Sequence, residues 1–412
     1  MRIKKMLVCK GLAGYFWIDR AAIKKESKKE GIIYRGKPIT PGFKAIQIPA
    51  EAACILLVLE DGQIAYGDCV AVVYSGRWGR DPLFTVDSYV PMIKKELCPL
   101  VEGYELKSFK EAAEYFDKLK IKNVRLHTAI RYGLTQAILD AVAKMKKITM
   151  AEVIADEYGT EIASDLIPIF GQTGEEFFSN TEKMILLRLP SLPHSSTKTL
   201  KDFEQLLDKV RWTRKRVLEL GGENYKPVLH FDVYGTIGWY FNYDISGMVD
   251  YFRKLEKESS PFELIIEAPV EMQTQNDHIR MMRELRGALS EEKINVKIAA
   301  DEWCNTLEDV KRFVDAGAVD MVNIKTPDLG GINNTIEAVL YCKEKGVLPY
   351  LGGSAAETER SAQICAHIAL ATQPYQIMER PGSGVFEGTS IVFNEMQRAL
   401  ALINYRSGGK DQ

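Results

Sequence analysis

The spacing of apolar positions changes near residue 160. Beyond it, short runs rich in β-branched and aromatic residues alternate with longer stretches whose apolar residues recur every three or four positions. The short runs predict strands at 167–170, 184–189, 228–233, 263–267, 296–300, 321–324, 348–351 and 376–378. The longer stretches predict helices between them, at 199–218, 245–255, 307–316, 334–345 and 357–372. Such alternation implies parallel strands, because each crossover needs a helix. Residues 161–412 approach the roughly 250 residues of a (β/α)8 barrel. The expected fold is therefore α/β, with a TIM-type (β/α)8 barrel as its larger part.

Residues 1–160 read differently. An apolar run at 53–60 is followed by Asp61-Gly62, a strong hairpin signal, and by a return strand at 64–73. Residues 128–146 form the clearest helix, with Ile130, Leu134, Ala137, Ile138, Ala141 and Val142 in helical spacing. This predicts an N-terminal α+β capping domain, with the boundary near residue 160.

Composition narrows the class without naming the chemistry. Hydrophobic residues make up 46 %, and 54 Lys and Arg stand against 56 Asp and Glu, for a net charge of −2. Neither the balance nor any basic run suggests a nucleic-acid partner. No stretch approaches the roughly 20 apolar residues of a membrane span. The basic start Met1-Arg2-Ile3-Lys4-Lys5 leads into an apolar run that Lys10 ends, too short for a secretory signal. The 7 cysteines are scattered, without a C-x-x-C pair, which suits reduced thiols in a cytoplasmic protein.

Candidate chemistry appears at the predicted strand ends, where a barrel of this kind carries its active site. One strand ends at Asp232, the next at Glu267, the next at Asp301 and the next at Lys325, at intervals that each fit one β-α unit. Any one of these alone reads as a solvated loop residue or a helix N-cap. Four in consecutive units read as a site. Three carboxylates at one mouth repel unless a cation lies between them, and hard oxygen ligands suit Mg²⁺. A lysine beside that cation can have its pKa lowered and serve as a general base. Metal and base together suit removal of a proton next to a carboxylate.

Longer strings carry a resemblance. Tyr74-Ser75-Gly76, Gly79-Arg80-Asp81-Pro82-Leu83-Phe84, Arg125-Leu126-His127-Thr128, Asp232-Val233-Tyr234-Gly235-Thr236, Asp301-Glu302-Trp303-Cys304-Asn305-Thr306 and Lys325-Thr326-Pro327-Asp328-Leu329-Gly330-Gly331 resemble the enolase superfamily and, within it, the methylaspartate ammonia-lyase family. The resemblance covers nearly the whole chain. It implies reversible, Mg²⁺-dependent elimination of ammonia from L-threo-3-methylaspartate to give mesaconate, through an enediolate, in glutamate fermentation. It also implies stimulation by K⁺ and a homodimer. By the same resemblance Asp232, Glu267 and Asp301 match metal ligands, and Lys325 the base at C3. His194 matches the residue on the opposite face, and Gln172 a substrate-binding glutamine. Two positions depart from the family pattern. Asn323 stands where glutamine is usual, and Gly352-Gly353-Ser354-Ala355 replaces Gly-Gly-Thr-Cys. Asn323, Ser354 and Ala355 are expected in the substrate shell rather than the metal shell. The alternative is an enolase-type lyase or epimerase acting on another amino acid or carboxylate. Leu187-Arg188-Leu189, on the expected second strand, lacks the Lys-x-Lys of the epimerases.

Two further features have bland readings beside them. His230 shares its strand face with Asp232 and reads as packing in the barrel interior. Residues 75–80, with Gly76, Trp78, Gly79 and Arg80, read equally as a loop closing over the site or as an exposed turn.

Overall fold

The computed structural model describes residues 1–174 and 176–408. Eight parallel strands close into a barrel: Ile169–Phe170, Ser191–Ser196, Val228–Asp232, Leu264–Glu267, Val296–Ala300, Met321–Ile324, Leu348–Leu351 and Gln376–Met378. Closure runs from the eighth strand to the first, with Ile377 opposite Ile169 and Met378 opposite Phe170. The strands are buried on both faces, as their near-continuous apolar runs require. Helices between them supply the outer ring, and a helix at Val385–Arg406 follows the last strand.

One predicted strand is wrong. Residues 184–189 finish the helix Phe177–Leu186 and the turn after it, and the second barrel strand is Ser191–Ser196. Thr181, Met184 and Ile185 are buried together at helical spacing. A short apolar run fits a buried strand and a buried helix face equally well, so periodicity alone could not separate them. His194 therefore lies within the second strand. The true second strand, Ser191-Leu192-Pro193-His194-Ser195-Ser196, also lacks the Lys-x-Lys of the epimerases.

The N-terminal part builds a three-stranded antiparallel sheet from Ile3–Ile18, Gln47–Leu59 and Ile64–Cys69. Gly62 at φ 86° makes the turn between the last two strands, where a side chain would be strained. The helix Thr128–Lys146 packs along this sheet and is buried from Ala129 to Ala143. It also completes the sheet edge. Tyr66 N–H donates to Asp140 Oδ2 at 2.8 Å, and Asp68 N–H donates to Gln136 Oε1 at 3.2 Å.

Helix and strand approach so closely because Gly67 faces Gly133. A Cβ on Gly133 would lie 2.5 Å from Cys69 N and 2.7 Å from the Asp68 carbonyl carbon, both backbone atoms that cannot swing aside. Gly133→Ala is expected to cost about 1–3 kcal/mol of stability by overpacking. A urea midpoint equal to that of the parent, at the same m-value, would show that helix and sheet separate without cost.

Hydrogen bonds join this part to the barrel mouth. Gly14 N–H donates to Ala356 O at 3.2 Å, and Thr358 Oγ1 donates to Asp68 Oδ2 at 2.6 Å. Among the described residues, no helix is long and apolar enough to cross a membrane.

Candidate active site

Gln172, His194, Asp232, Glu267, Asp301, Asn323, Lys325, Ser354 and Ala355 all line one cavity of about 270 Å³ at the C-terminal end of the barrel. Strand order sorts them around the ring. The third, fourth and fifth strands bring Asp232, Glu267 and Asp301 side by side, which makes one arc acidic. Lys325 follows the sixth strand and His194 sits on the second, four strands apart in a ring of eight. They therefore face each other across the mouth. Around the remaining arc the cavity is lined by neutral residues, with Gly352–Ala355 after the seventh strand, Met378 and Gly382 from the eighth, and Gln172 after the first.

The acidic arc is buried and strongly coupled. Burial, with Glu267 and Asp301 adding repulsion, pushes Asp232 well above the carboxylate range. Burial also raises Asp301, to about 7, although Lys325 opposes the shift. Glu267 goes the other way, to about 2. Burial alone would raise it, but the His230 ring and the Tyr350 hydroxyl beside the carboxylate outweigh that effect. Ligand atoms of Asp232, Glu267 and the His194 ring lie within 4.8 Å of one another, whereas Asp301 Oδ1 is engaged by Lys325 and Asn323. Buried carboxylate oxygens with repulsion between them are a donor set that a small hard cation fits.

Lys325 Nζ lies 2.5 Å from Asp301 Oδ1. Burial lowers its pKa, but Asp301 and Glu302 outweigh burial and hold it above the ordinary lysine range. This is opposite to the lowered value expected from sequence, because the carboxylate charge around the ammonium exceeds the cost of burying it. A cation on the acidic arc would offset that charge. His194 is pushed down to about 4 by burial, so it is neutral near pH 7. Its Nε2 stands 3.7 Å from Asp232 Oδ2.

Asn323 differs from expectation. Its Nδ2 donates to Glu267 Oε1 at 2.7 Å and to Asp301 Oδ1 at 3.0 Å. Both amide hydrogens are thus spent on the acidic arc, and the side chain belongs with the carboxylates as much as with the cavity. Its position two residues before Lys325 turns it into the barrel, where its short side chain meets those carboxylates first. Ser354 keeps its hydroxyl, which accepts from Val73 N–H at 3.3 Å and so ties the turn to the N-terminal part.

Several residues carry more of the site than the sequence suggested. His230 is fully buried and stacks on Phe170, as packing predicts, yet its Nε2 is 3.0 Å from Glu267 Oε2. Gln376 Nε2 contacts the other ring nitrogen at 3.0 Å, which places the His230 proton on the side of Glu267. Tyr350 Oη donates to the same carboxylate oxygen at 2.6 Å. The period-two alternation that puts Tyr350 on one face with Gly352 was the available signal.

Arg80 was also undervalued. Residues 75–80 are not an ordinary exposed turn, because Ser75 and Trp78 are buried and Arg80 lines the cavity. Arg80 enters the mouth and donates from Nη1 to Glu302 Oε2 and from Nε to Asp328 Oδ2, both at 2.8 Å. Its guanidinium neutralises the two acids that follow Asp301 and Lys325.

Comparison with known proteins agrees over the full length. The family model described as methylaspartate ammonia-lyase N-terminus matches residues 1–159, and that described as methylaspartate ammonia-lyase C-terminus matches residues 161–405. Methylaspartate ammonia-lyase 2 of Carboxydothermus hydrogenoformans is 49 % identical over 99 % of this chain and 100 % of its own. The chain belongs to the methylaspartate ammonia-lyase family. Two solved members of the methylaspartate ammonia-lyase family superpose closely. The Mg complex of beta-methylaspartase from Clostridium tetanomorphum has a TM-score of 0.92 at 47 % identity, covering 98 % of this chain and 100 % of that one. Citrobacter amalonaticus methylaspartate ammonia-lyase containing (2S,3S)-3-methylaspartic acid has a TM-score of 0.94 at 44 % identity, with coverage of 98 % and 100 %. Members of the methylaspartate ammonia-lyase family are carbon–nitrogen lyases, and this chain is an enzyme of that class.

Proposed function

We propose that the enzyme eliminates ammonia from L-threo-3-methylaspartate to give mesaconate, with Lys325 as the base at C3. The observation that carries this reading is the arrangement of the mouth. An acidic arc of Asp232, Glu267 and Asp301 lies between a lysine and a neutral histidine that face each other, and an arc lined by neutral residues completes the ring.

The residues fit a divalent cation of the kind present in the Clostridium tetanomorphum complex. Asp232, Glu267 and Asp301 would hold Mg²⁺. When bound, Mg²⁺ supplies positive charge beside the carboxylate next to C3, where negative charge develops. The chain's own groups do the rest. Gln172 and the turn at Gly352–Ala355 offer neutral donors to the second carboxylate of the substrate. Lys325 Nζ takes the C3 proton, and the electron pair delocalises into the adjacent carboxylate as an enediolate. Its collapse forms the C2–C3 double bond and breaks the C2–N bond, releasing ammonia. His194, neutral and across the mouth, is placed for the opposite face and hence for the epimer at C3.

The test is a Mg²⁺-dependent rise in ultraviolet absorbance with L-threo-3-methylaspartate, matched by ammonia release. Ammonia released from another amino acid but not from this one would keep the lyase class and reject the substrate. Stimulation by K⁺, a homodimer and a cytoplasmic location belong to the same reading. Salt titration of the rate, sedimentation and cell fractionation test them in turn.

A further inference from the structure

One buried acid at the mouth stands outside the chemistry above. Glu379 follows the eighth strand and is 1 % exposed. Burial pushes its pKa up to about 8, and Glu387, a charge of the same sign, adds to the shift. Burying a carboxyl without a counter-cation costs stability, and an apolar side chain there would avoid that cost.

Its hydrogen bonds show what it holds. Gln172 N–H donates to Glu379 Oε1 at 2.8 Å, and Thr389 Oγ1 donates to Oε2 at 2.8 Å. The carboxyl thus joins the end of the first barrel strand to the helix Val385–Arg406. The Gln172 side chain is fixed separately, since its Oε1 accepts from Gly382 N–H at 3.2 Å. With its oxygen engaged, the amide keeps its two N–H donors for the cavity that Gln172 lines. Gly382 is itself confined, at φ 78°, with the Ala355 carbonyl oxygen where a Cβ would stand.

We propose that Glu379 is a positioning residue for substrate binding: it clamps the Gln172 main chain so that the Gln172 amide presents its donors to the substrate carboxylate remote from the acidic arc. This rests on the substrate role proposed for Gln172. Glu379 touches no reacting atom, so its loss should weaken binding and leave the chemical step.

The experiment is steady-state kinetics with 3-methylaspartate at saturating Mg²⁺ on Glu379→Ala, Glu379→Gln, Gln172→Ala and the double variant Glu379→Ala/Gln172→Ala, each with its Tm. Glu379→Ala is expected to raise KM about tenfold with kcat within about threefold, the pattern of lost binding. Glu379→Gln should return KM to within about twofold of the parent, because a carboxamide keeps an acceptor for Gln172 N–H and a donor for Thr389 Oγ1. In the Gln172→Ala background, Glu379→Ala should change KM by less than about twofold, as expected when both act through one group. If Glu379→Ala does not fold, Glu379→Met, apolar and of similar length, takes its place with the same expectation. A raised KM in Gln172→Ala with an unchanged KM in the Glu379 variant overturns the clamp alone. Effects that multiply in the double variant also overturn it. An unchanged KM in Gln172→Ala removes the substrate role of Gln172, and the clamp with it.

Discussion

Lys325→Ala is expected to lower kcat by about 10²–10⁴-fold, the range that a positioned general base contributes. Lys325 stands one residue beyond the sixth barrel strand, and its side chain is 16 % exposed, enough to meet a ligand in the cavity. The other candidate proton acceptor across the mouth, His194, lies on the opposite side of the ring and cannot reach the same face of a bound substrate. The fold should survive. Asn323 still donates to Asp301 at 3.0 Å, and Arg80 still neutralises Glu302 and Asp328. Lys325→Arg separates charge from base function, since a guanidinium keeps the positive charge but does not deprotonate. Both variants should be inactive, with parent-like circular dichroism. A kcat within tenfold of the parent in either would remove Lys325 as the base.

Glu267→Gln should abolish thermal stabilisation by Mg²⁺. A ligand at a hundred times its Kd stabilises a protein by about 2.7 kcal/mol, so the parent should show a clear rise in Tm with Mg²⁺. Glu267 lies at the centre of the acidic arc. Of the three acids it is the one whose pKa is depressed, to about 2, with burial opposed by His230 and Tyr350. A carboxamide keeps the size but removes the charge. The sign without metal is also set by the structure. Glu267 raises the pKa of both Asp232 and Asp301 by repulsion, but the attraction of His230, His194 and Tyr350 for its own charge is larger and leaves its pKa depressed. Because the folded site favours the charged form of Glu267, Glu267→Gln should be less stable than the parent in chelator at pH 7, and isothermal titration should detect no Mg²⁺ binding. A Tm rise with Mg²⁺ equal to that of the parent would exclude Glu267 as a ligand.

Much of this was legible in the chain. Seven of the eight barrel strands lie where the apolar runs predicted, because strands buried on both faces must be apolar nearly throughout. The second was misplaced because Met184 and Ile185 bury a helix face with residues that would serve a strand as well. The positions of Asp232, Glu267, Asp301 and Lys325 were readable because β-α units return each strand end to the same side of the barrel. His230, Tyr350 and Arg80 were undervalued for one reason. Each acts through a partner distant in sequence: Glu267, Glu267 again, and the pair Glu302 and Asp328. Asn323 was expected near the substrate, yet its two amide hydrogens go to the carboxylates beside it.

By itself, the sequence determined the strand-helix rhythm, the barrel, the order of acids and lysine around its mouth, and the family. The first three follow from local periodicity and chain connectivity, and the family from the longer strings that resemble it. Only the tertiary structure decided which side chains exchange hydrogen bonds across the ring, which acids are held ionised or neutral, and that residues 75–80 are packed into the mouth. Those depend on distances of 2.5–3.7 Å between residues far apart in the chain, and on burial, which turns small differences in distance into large shifts in charge state.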